Sequence, residues 1–106
     1  MPTFVEPDAS QPFDPLALVT RCMESDTGSL LLCENATPPA FFDLSTGLAG
    51  ELLHKLSMYR IRLAVVVPDP TIHSTRFQEF AREANTRGAF RFFPTREAAV
   101  DWLEKH

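Results

Sequence analysis

The segment 41–47 carries the residue types best suited to bind an anion or to carry a phosphate. An acid, two hydroxyls and a glycine stand there, directly before a leucine-rich stretch with helical spacing: Asp43, Ser45, Thr46 and Gly47. The first turn of a helix has free N–H groups and a partial positive charge, so it attracts phosphate and carboxylate groups. We therefore predict an anion site, or a phosphorylated hydroxyl, at Ser45 or Thr46. The alternative is that one of these hydroxyls only caps the helix.

A second acid, Asp69, follows another apolar segment and is predicted at the same edge of the sheet as Asp43. Two carboxylates at one edge could share a proton or bind a divalent cation, although loop aspartates are more often turn formers. The sequence has no H-E-x-x-H pattern, no glycine-rich phosphate loop and no G-x-S-x-G motif. We therefore expect no metal and no cofactor, and we favour a protein that is not an enzyme.

The elements that would position these residues alternate between helices and apolar strands. Helices are predicted at 15–24, at 45–59, after the cap residue Ser74 and after the cap residue Thr95. Strands are predicted at 29–33, 63–67 and 90–93, with an edge strand at 3–6 as a fourth. The strands at 29–33 and 63–67 lack polar alternation, which is typical of parallel strands that are covered on both faces. Arg91 interrupts the aromatic strand at 90–93, which could place that strand at an exposed edge.

This order predicts a single α/β domain over residues 1–106, with residues 1–12 either loosely structured or forming the edge strand. About four helices would surround a mostly parallel sheet of four strands, or of three if the edge strand does not form. The predicted buried residues include Leu16, Met23, Tyr59 and Trp102, which fall on the apolar stripes of their helices.

Charge and length limit the partners. The 106 residues carry a formal net charge of −4, which disfavours nucleic acid and anionic membranes. The longest apolar run, 63–67, is far too short to cross a bilayer, and no signal peptide is visible, so we expect a cytoplasmic protein. An unknown protein partner is expected. Self-association into a homodimer through exposed aromatic residues such as Phe41 or Phe93 is a further alternative.

The central third of the chain resembles a known bacterial family, domain of unknown function 4180, in these residues: the stretch 41–51, then Lys55, Tyr59, Arg60, Leu63 and Ala64. Later residues fit the same pattern: Ser74, Phe80, Glu83, Asn85, Ala99, Trp102 and Leu103. The resemblance covers about residues 14–103 and implies no known activity. The family usually shows an apolar pair and Gly-Asp after Ala64, whereas here Val67 and Pro68 precede Asp69.

The segment 43–48 is also similar to a turn of STAS domains, the fold of sulfate transporters and anti-sigma-factor antagonists. That turn reads apolar-Asp-Ser-Ser-Gly-apolar at a helix start, and here Leu44 is one extra residue after the acid. In such antagonists the serine before the glycine accepts phosphate, and Thr46 holds the matching position. The resemblance therefore implies a regulatory interaction module with a serine/threonine kinase as partner. The residues alone leave a second hypothesis open, a small-molecule or anion site at the carboxyl ends of the strands.

Overall fold

Three short parallel strands form the centre of the molecule in a computed structural model that describes residues 4–7, 13–86 and 89–105. Strands β1 (Ser29–Cys33), β2 (Arg62–Val66) and β3 (Phe90–Phe93) lie in the order β1-β2-β3. The register places Leu31 opposite Ala64, and Ala64 opposite Arg91. Val5 adds one isolated parallel bridge to Leu30, so the described residues form a sheet of three strands and not four. Residue 3 of the predicted edge strand lies outside the described residues.

Within the described ranges, five helices surround this sheet: α1 (Pro15–Glu24), α2 (Pro39–Phe42), α3 (Leu48–Met58), α4 (Thr75–Ala84) and α5 (Arg96–Lys105). Four of them were predicted. The short α2 was not, because the Pro38-Pro39 pair suggested a loop. Proline is however well suited to the first position of a helix, and Pro39 takes that position.

The helix caps explain why the chain begins its helices where it does. The carboxylate of Asp14 accepts a hydrogen bond of 3.1 Å from the Leu16 amide, and the Ser74 hydroxyl accepts one of 3.1 Å from the Phe77 amide. Thr95 caps α5 in the same way, through the amide of Ala98. These three predicted caps are confirmed, and each one satisfies an amide that the helix leaves free.

Side chains alternate along each strand between two apolar layers. One face meets α1, α3 and α4 and contains Leu30, Leu32, Leu63, Val65 and Val67. The other face meets α5 and contains Leu31, Ala64 and Val66. Strands β1 and β2 are almost fully buried, as their unbroken apolar sequences predicted, whereas β3 is half-buried along its length. Trp102 on α5 is 9% exposed, as expected for a buried residue.

Several predicted core positions are wrong. Leu16 and Met23 are each 59% exposed and Tyr59 is 48% exposed, because α1 presents Leu18, Val19 and Cys22 to the core and α3 ends before Tyr59.

Phe41 is fully buried, so it is not available for the aromatic dimer surface that the sequence suggested. None of the helices in the described ranges combines the length and apolar character that a bilayer crossing requires.

Candidate functional site at the carboxyl edge of the sheet

The turn at 43–47 is a capped 3₁₀ turn followed by a separate helix. Asp43 caps the turn Leu44–Thr46, and Gly47, with φ 78° and ψ 0°, is the residue from which α3 departs. The predicted helix 45–59 therefore begins three residues too early. A left-handed residue separates the turn from the helix, and glycine adopts that conformation without a steric cost.

The hydroxyls of this turn are engaged in local hydrogen bonds. Ser45 donates from Oγ to Oδ1 of Asp43 at 2.6 Å, and its amide donates to the same oxygen at 3.0 Å. The Thr46 hydroxyl lies 2.6 Å from the carbonyl oxygen of Ala40 and accepts from the Leu48 amide at 3.3 Å. Thr46 thus connects α2 to α3, whereas Ser45 only completes the cap.

The turn already contains a negative charge, the carboxylate of Asp43. The hydrogen bonds from the Ser45 hydroxyl and amide lower the pKa of Asp43, so its carboxylate is ionised at neutral pH. One amide of α3, that of Leu48, is covered by Thr46. A phosphate added to Ser45 would therefore lie beside the ionised carboxylate of Asp43, and the two negative charges would repel each other.

Asp69 forms a second turn of the same design. Its carboxylate accepts from the amide of Thr71 at 3.0 Å and from the hydroxyl of Thr71, and these bonds lower the pKa of Asp69. It caps the turn Pro70–Ile72 after β2. Asp43, Ser45, Thr46 and Gly47 thus lie together in one turn and Asp69 in another, and no described hydrogen bond joins Asp69 to Asp43.

An aromatic stack connects the two turns, and the sequence analysis missed it. The rings of Phe42 and His73 lie with centroids 4.2 Å apart and planes 12° apart. Nε2 of His73 is 3.2 Å from Oε2 of Glu34, which follows β1 directly. The His73 side chain is only 14% exposed. The sequence did contain a sign of this contact: Glu34 follows β1 and His73 follows β2, and the carboxyl ends of parallel strands lie at one edge of the sheet.

A second ion pair lies at the same edge, on the α5 side. Arg96 reaches both carboxylate oxygens of Glu6, at 2.6 and 3.1 Å, and Sγ of Cys33 is 3.5 Å from Oε2 of Glu6. The hydrogen bond from Arg96 lowers the pKa of Glu6, while burial and the nearby carboxylate raise the pKa of Cys33. Cys33 is therefore a protonated thiol at neutral pH and a poor nucleophile.

A cleft of about 300 Å³ opens beside this edge, between α4 and the ends of β2 and β3. Phe77, Phe92 and Pro94 give it apolar walls, and Arg82 and Asn85 add polar groups. The carboxamide oxygen of Asn85 accepts from the Phe92 amide at 2.8 Å, which leaves the NH₂ of Asn85 as a donor and covers part of the free edge of β3. Within the described ranges, no group of three or more His, Cys, Asp or Glu side chains is arranged to hold a metal ion.

Comparison with known proteins gives a family. Searches of curated proteins and of solved structures found no match. A comparison with protein families matches residues 6–103, from the acid that pairs with Arg96 to the last turn of α5. This range contains both turns, the aromatic stack and the cleft, and it agrees with the resemblance seen in the sequence. The chain therefore belongs to the family described as Domain of unknown function (DUF4180).

Proposed function

We propose that this protein is a non-enzymatic regulatory module that binds another protein, with STAS-like element order and a switch at the turn 43–47. The observation that carries the proposal is the bond of 2.6 Å between the exposed Ser45 hydroxyl and the Asp43 carboxylate. Phosphorylation of Ser45 would remove this donor and place about two negative charges beside an ionised carboxylate. The cap of the turn would then open by like-charge repulsion.

The effect would reach the strand ends through α2. Thr46 is bonded to Ala40 in α2, and Phe42 at the end of α2 stacks on His73. His73 in turn pairs with Glu34 at the end of β1. A change in the turn therefore alters the position of an aromatic ring that connects two loops at the carboxyl edge. Phosphorylation of Thr46, the position implied by the STAS resemblance, would act on the same connection by removing its bond to Ala40.

Mass spectrometry of the protein purified from its native host tests this proposal. We expect phosphate on Ser45 or Thr46, and none on Ser57, an exposed serine of α3 whose hydroxyl donates to the carbonyl of His54. The matched experiment compares partner binding by a Ser45→Ala/Thr46→Ala double variant with binding by Ser57→Ala. If both hydroxyls are unmodified in the host and the double variant binds its partners as the parent does, the proposed switch is wrong.

A second candidate function is the binding of a small organic anion in the cleft at the strand ends. It is favoured by the position of Arg82 and the NH₂ group of Asn85 beside the apolar walls of Phe77 and Phe92. Ligands of open parallel sheets bind at this edge. A thermal-shift screen with nucleotides, sugar phosphates and aromatic carboxylates tests it, because a ligand at a hundredfold excess over its Kd stabilises the fold by about 2.7 kcal/mol.

The Arg82→Gln variant provides the control for that screen. A ligand that binds in the cleft should stabilise the parent protein more than Arg82→Gln. An Arg76→Gln variant, which changes an exposed arginine at the other end of α4, should respond as the parent does. A screen without any shift would remove this second candidate and would leave the switch proposal untouched.

A further inference from the structure

Two arginines converge on the single tryptophan of the chain, at the amino end of the sheet and on its α5 face. The guanidinium carbon of Arg62 is 5.4 Å from the centre of the Trp102 ring, and that of Arg91 is 5.6 Å from it. Arg91 pairs in register with Ala64, two residues after Arg62 on β2, so both side chains leave the same face of the sheet. Each cation is attracted by the ring.

Neither of these two arginines takes part in an ion pair among the described residues. The described ion pairs use His73, Arg96 and Lys105 as the cations. Like charges that share one aromatic ring repel each other, and the indole can only offset part of that repulsion. An anion beside both guanidinium groups would remove it, even though the protein as a whole carries a net charge of −4.

Hydrogen bonding leads to the same conclusion. Nη2 of Arg62 donates to the Ser29 hydroxyl at 2.9 Å and to the Leu103 carbonyl at 3.0 Å, which holds this guanidinium against the end of α5. Nη1 of Arg62 and Nε of Arg91 are shielded from solvent and have no acceptor within the described part of the chain. Buried donors are nearly always paired, so two orphans around one ring favour an acceptor from outside the chain, which can reach them when the Arg91 side chain turns away.

We infer that Arg62 and Arg91 form a binding site for the oxyanion of a small molecule, a phosphate or a carboxylate group, next to Trp102. Arg62 can donate to such an oxyanion from Nη1, because both hydrogens of its Nη2 are already used. Arg91 can add two parallel hydrogen bonds, one from Nε and one from Nη2. Arg62 is fixed by its two bonds and provides the rigid side of the site. Arg91 is held by the indole ring, and a rotation of its side chain lets it reach the anion. This site is independent of the proposed switch and lies at the opposite end of the sheet.

The fluorescence of Trp102 reports on this site directly, since the chain has only one tryptophan. We propose titrations of the whole protein with inorganic phosphate and, separately, with succinate, each at constant ionic strength maintained with sodium chloride. The inference predicts a saturable change in emission with at least one of the two anions, and the anion that gives it identifies the ligand class. A response that is absent, or that only follows ionic strength, overturns the inference.

Variants assign the response to the arginines. Arg91→Gln should abolish the saturable change, and Arg91→Lys, which keeps the charge but cannot form the bidentate bond, should weaken binding by roughly tenfold or more. Arg76→Gln, which changes an exposed arginine of α4, should bind as the parent does. If Arg91→Gln does not fold by circular dichroism, Arg91→Lys decides the question. Unchanged affinity in a folded Arg91 variant would show that the arginines only cover the indole.

Discussion

At the carboxyl edge of the sheet, each of the described acids has a partner close by, whereas at the amino end two arginines keep donors without acceptors. Glu6 pairs with Arg96, Glu34 pairs with His73, and the two capping aspartates bind the hydroxyls of their own turns. Around Trp102 the described residues include two cations and no acid in contact with them.

The difference indicates two ways in which a small fold can respond to an anion. A paired carboxylate must lose a hydrogen bond before its surroundings can change, so the carboxyl edge suits a covalent charge change such as phosphorylation. Donors without acceptors can bind an oxyanion without losing a hydrogen bond, and only the Arg91 side chain has to rotate, so the amino end suits reversible binding. Substitutions can change one region without changing the other, so the roles of the two regions can be tested separately.

The largest expected effect on the free energy of unfolding comes from removing Trp102, the ring that both arginines contact. Trp102→Ala should lower the free energy of unfolding by about 3–5 kcal/mol, because a buried aromatic ring is removed from the α5 layer. Chemical denaturation measures the loss. A variant as stable as the parent would mean that α5 is not held against the sheet by this ring, and the account of the amino end would fail with it.

A smaller effect is expected at the connection between α2 and α3. Thr46→Val keeps the shape of the side chain but removes the bond to the Ala40 carbonyl, so it should cost about 1 kcal/mol. Thr86→Val is the matched control, because its hydroxyl donates to the Glu83 carbonyl within the last turn of α4 and does not connect two helices of the described chain. Equal losses in the two variants would contradict the special role of Thr46.

The pair of Glu6 and Arg96 should contribute less, and its contribution should depend on pH. The pKa of Glu6 is lowered in the folded protein from its ordinary value of 4.5, mainly by the hydrogen bond from Arg96. Its stabilising effect is therefore complete above pH 4.5 and is lost as the pH falls through the lowered pKa. Urea melts of the parent and of Glu6→Gln should differ at pH 7 and converge in acid. A difference that grows in acid would have the wrong sign.

The smallest effect is expected on the outer face of α1. Leu16 is 59% exposed, so Leu16→Ser should change the free energy of unfolding by no more than about 0.5 kcal/mol. Leu18→Ser, at a position that is 4% exposed on the inner face, is the contrasting variant and should be severely destabilised. A large loss in Leu16→Ser would mean that this face of α1 is covered in solution.

Much of the fold follows from the sequence, because caps and apolar strands are local signals. Asp14, Ser74 and Thr95 predicted the starts of α1, α4 and α5, and the unbroken apolar strands predicted a parallel sheet with two covered faces. The start of α3 was misplaced because Ser45 and Thr46 have the composition of a cap. The bond of Thr46 to Ala40 was not predicted, because the pair Pro38-Pro39 suggested a loop where the chain forms α2.

The sites were harder to predict, since they depend on contacts between distant segments. Asp43 and the hydroxyls of the turn were singled out from spacing alone, and the structure places them together. His73 lies 39 residues from Glu34, so their pairing requires the register of the sheet. Arg62 and Arg91 come together for the same reason. Because side chains alternate along a strand, the face on which each arginine lies could be predicted. Their proximity could not be predicted without the register that places Arg91 opposite Ala64.

Hydrogen exchange of the protein with phosphate on Ser45 tests the central claim most directly, with phosphate on Ser57 as the control. When Ser45 is modified, we expect faster exchange at the amides of Ser45, Thr46 and Gly47. We also expect it in the segment 70–78, which α2 contacts through the stack of Phe42 on His73. The Ser57-modified protein should exchange there as the parent does. If phosphate on Ser45 leaves both segments as protected as before, the paired carboxyl edge is not a switch.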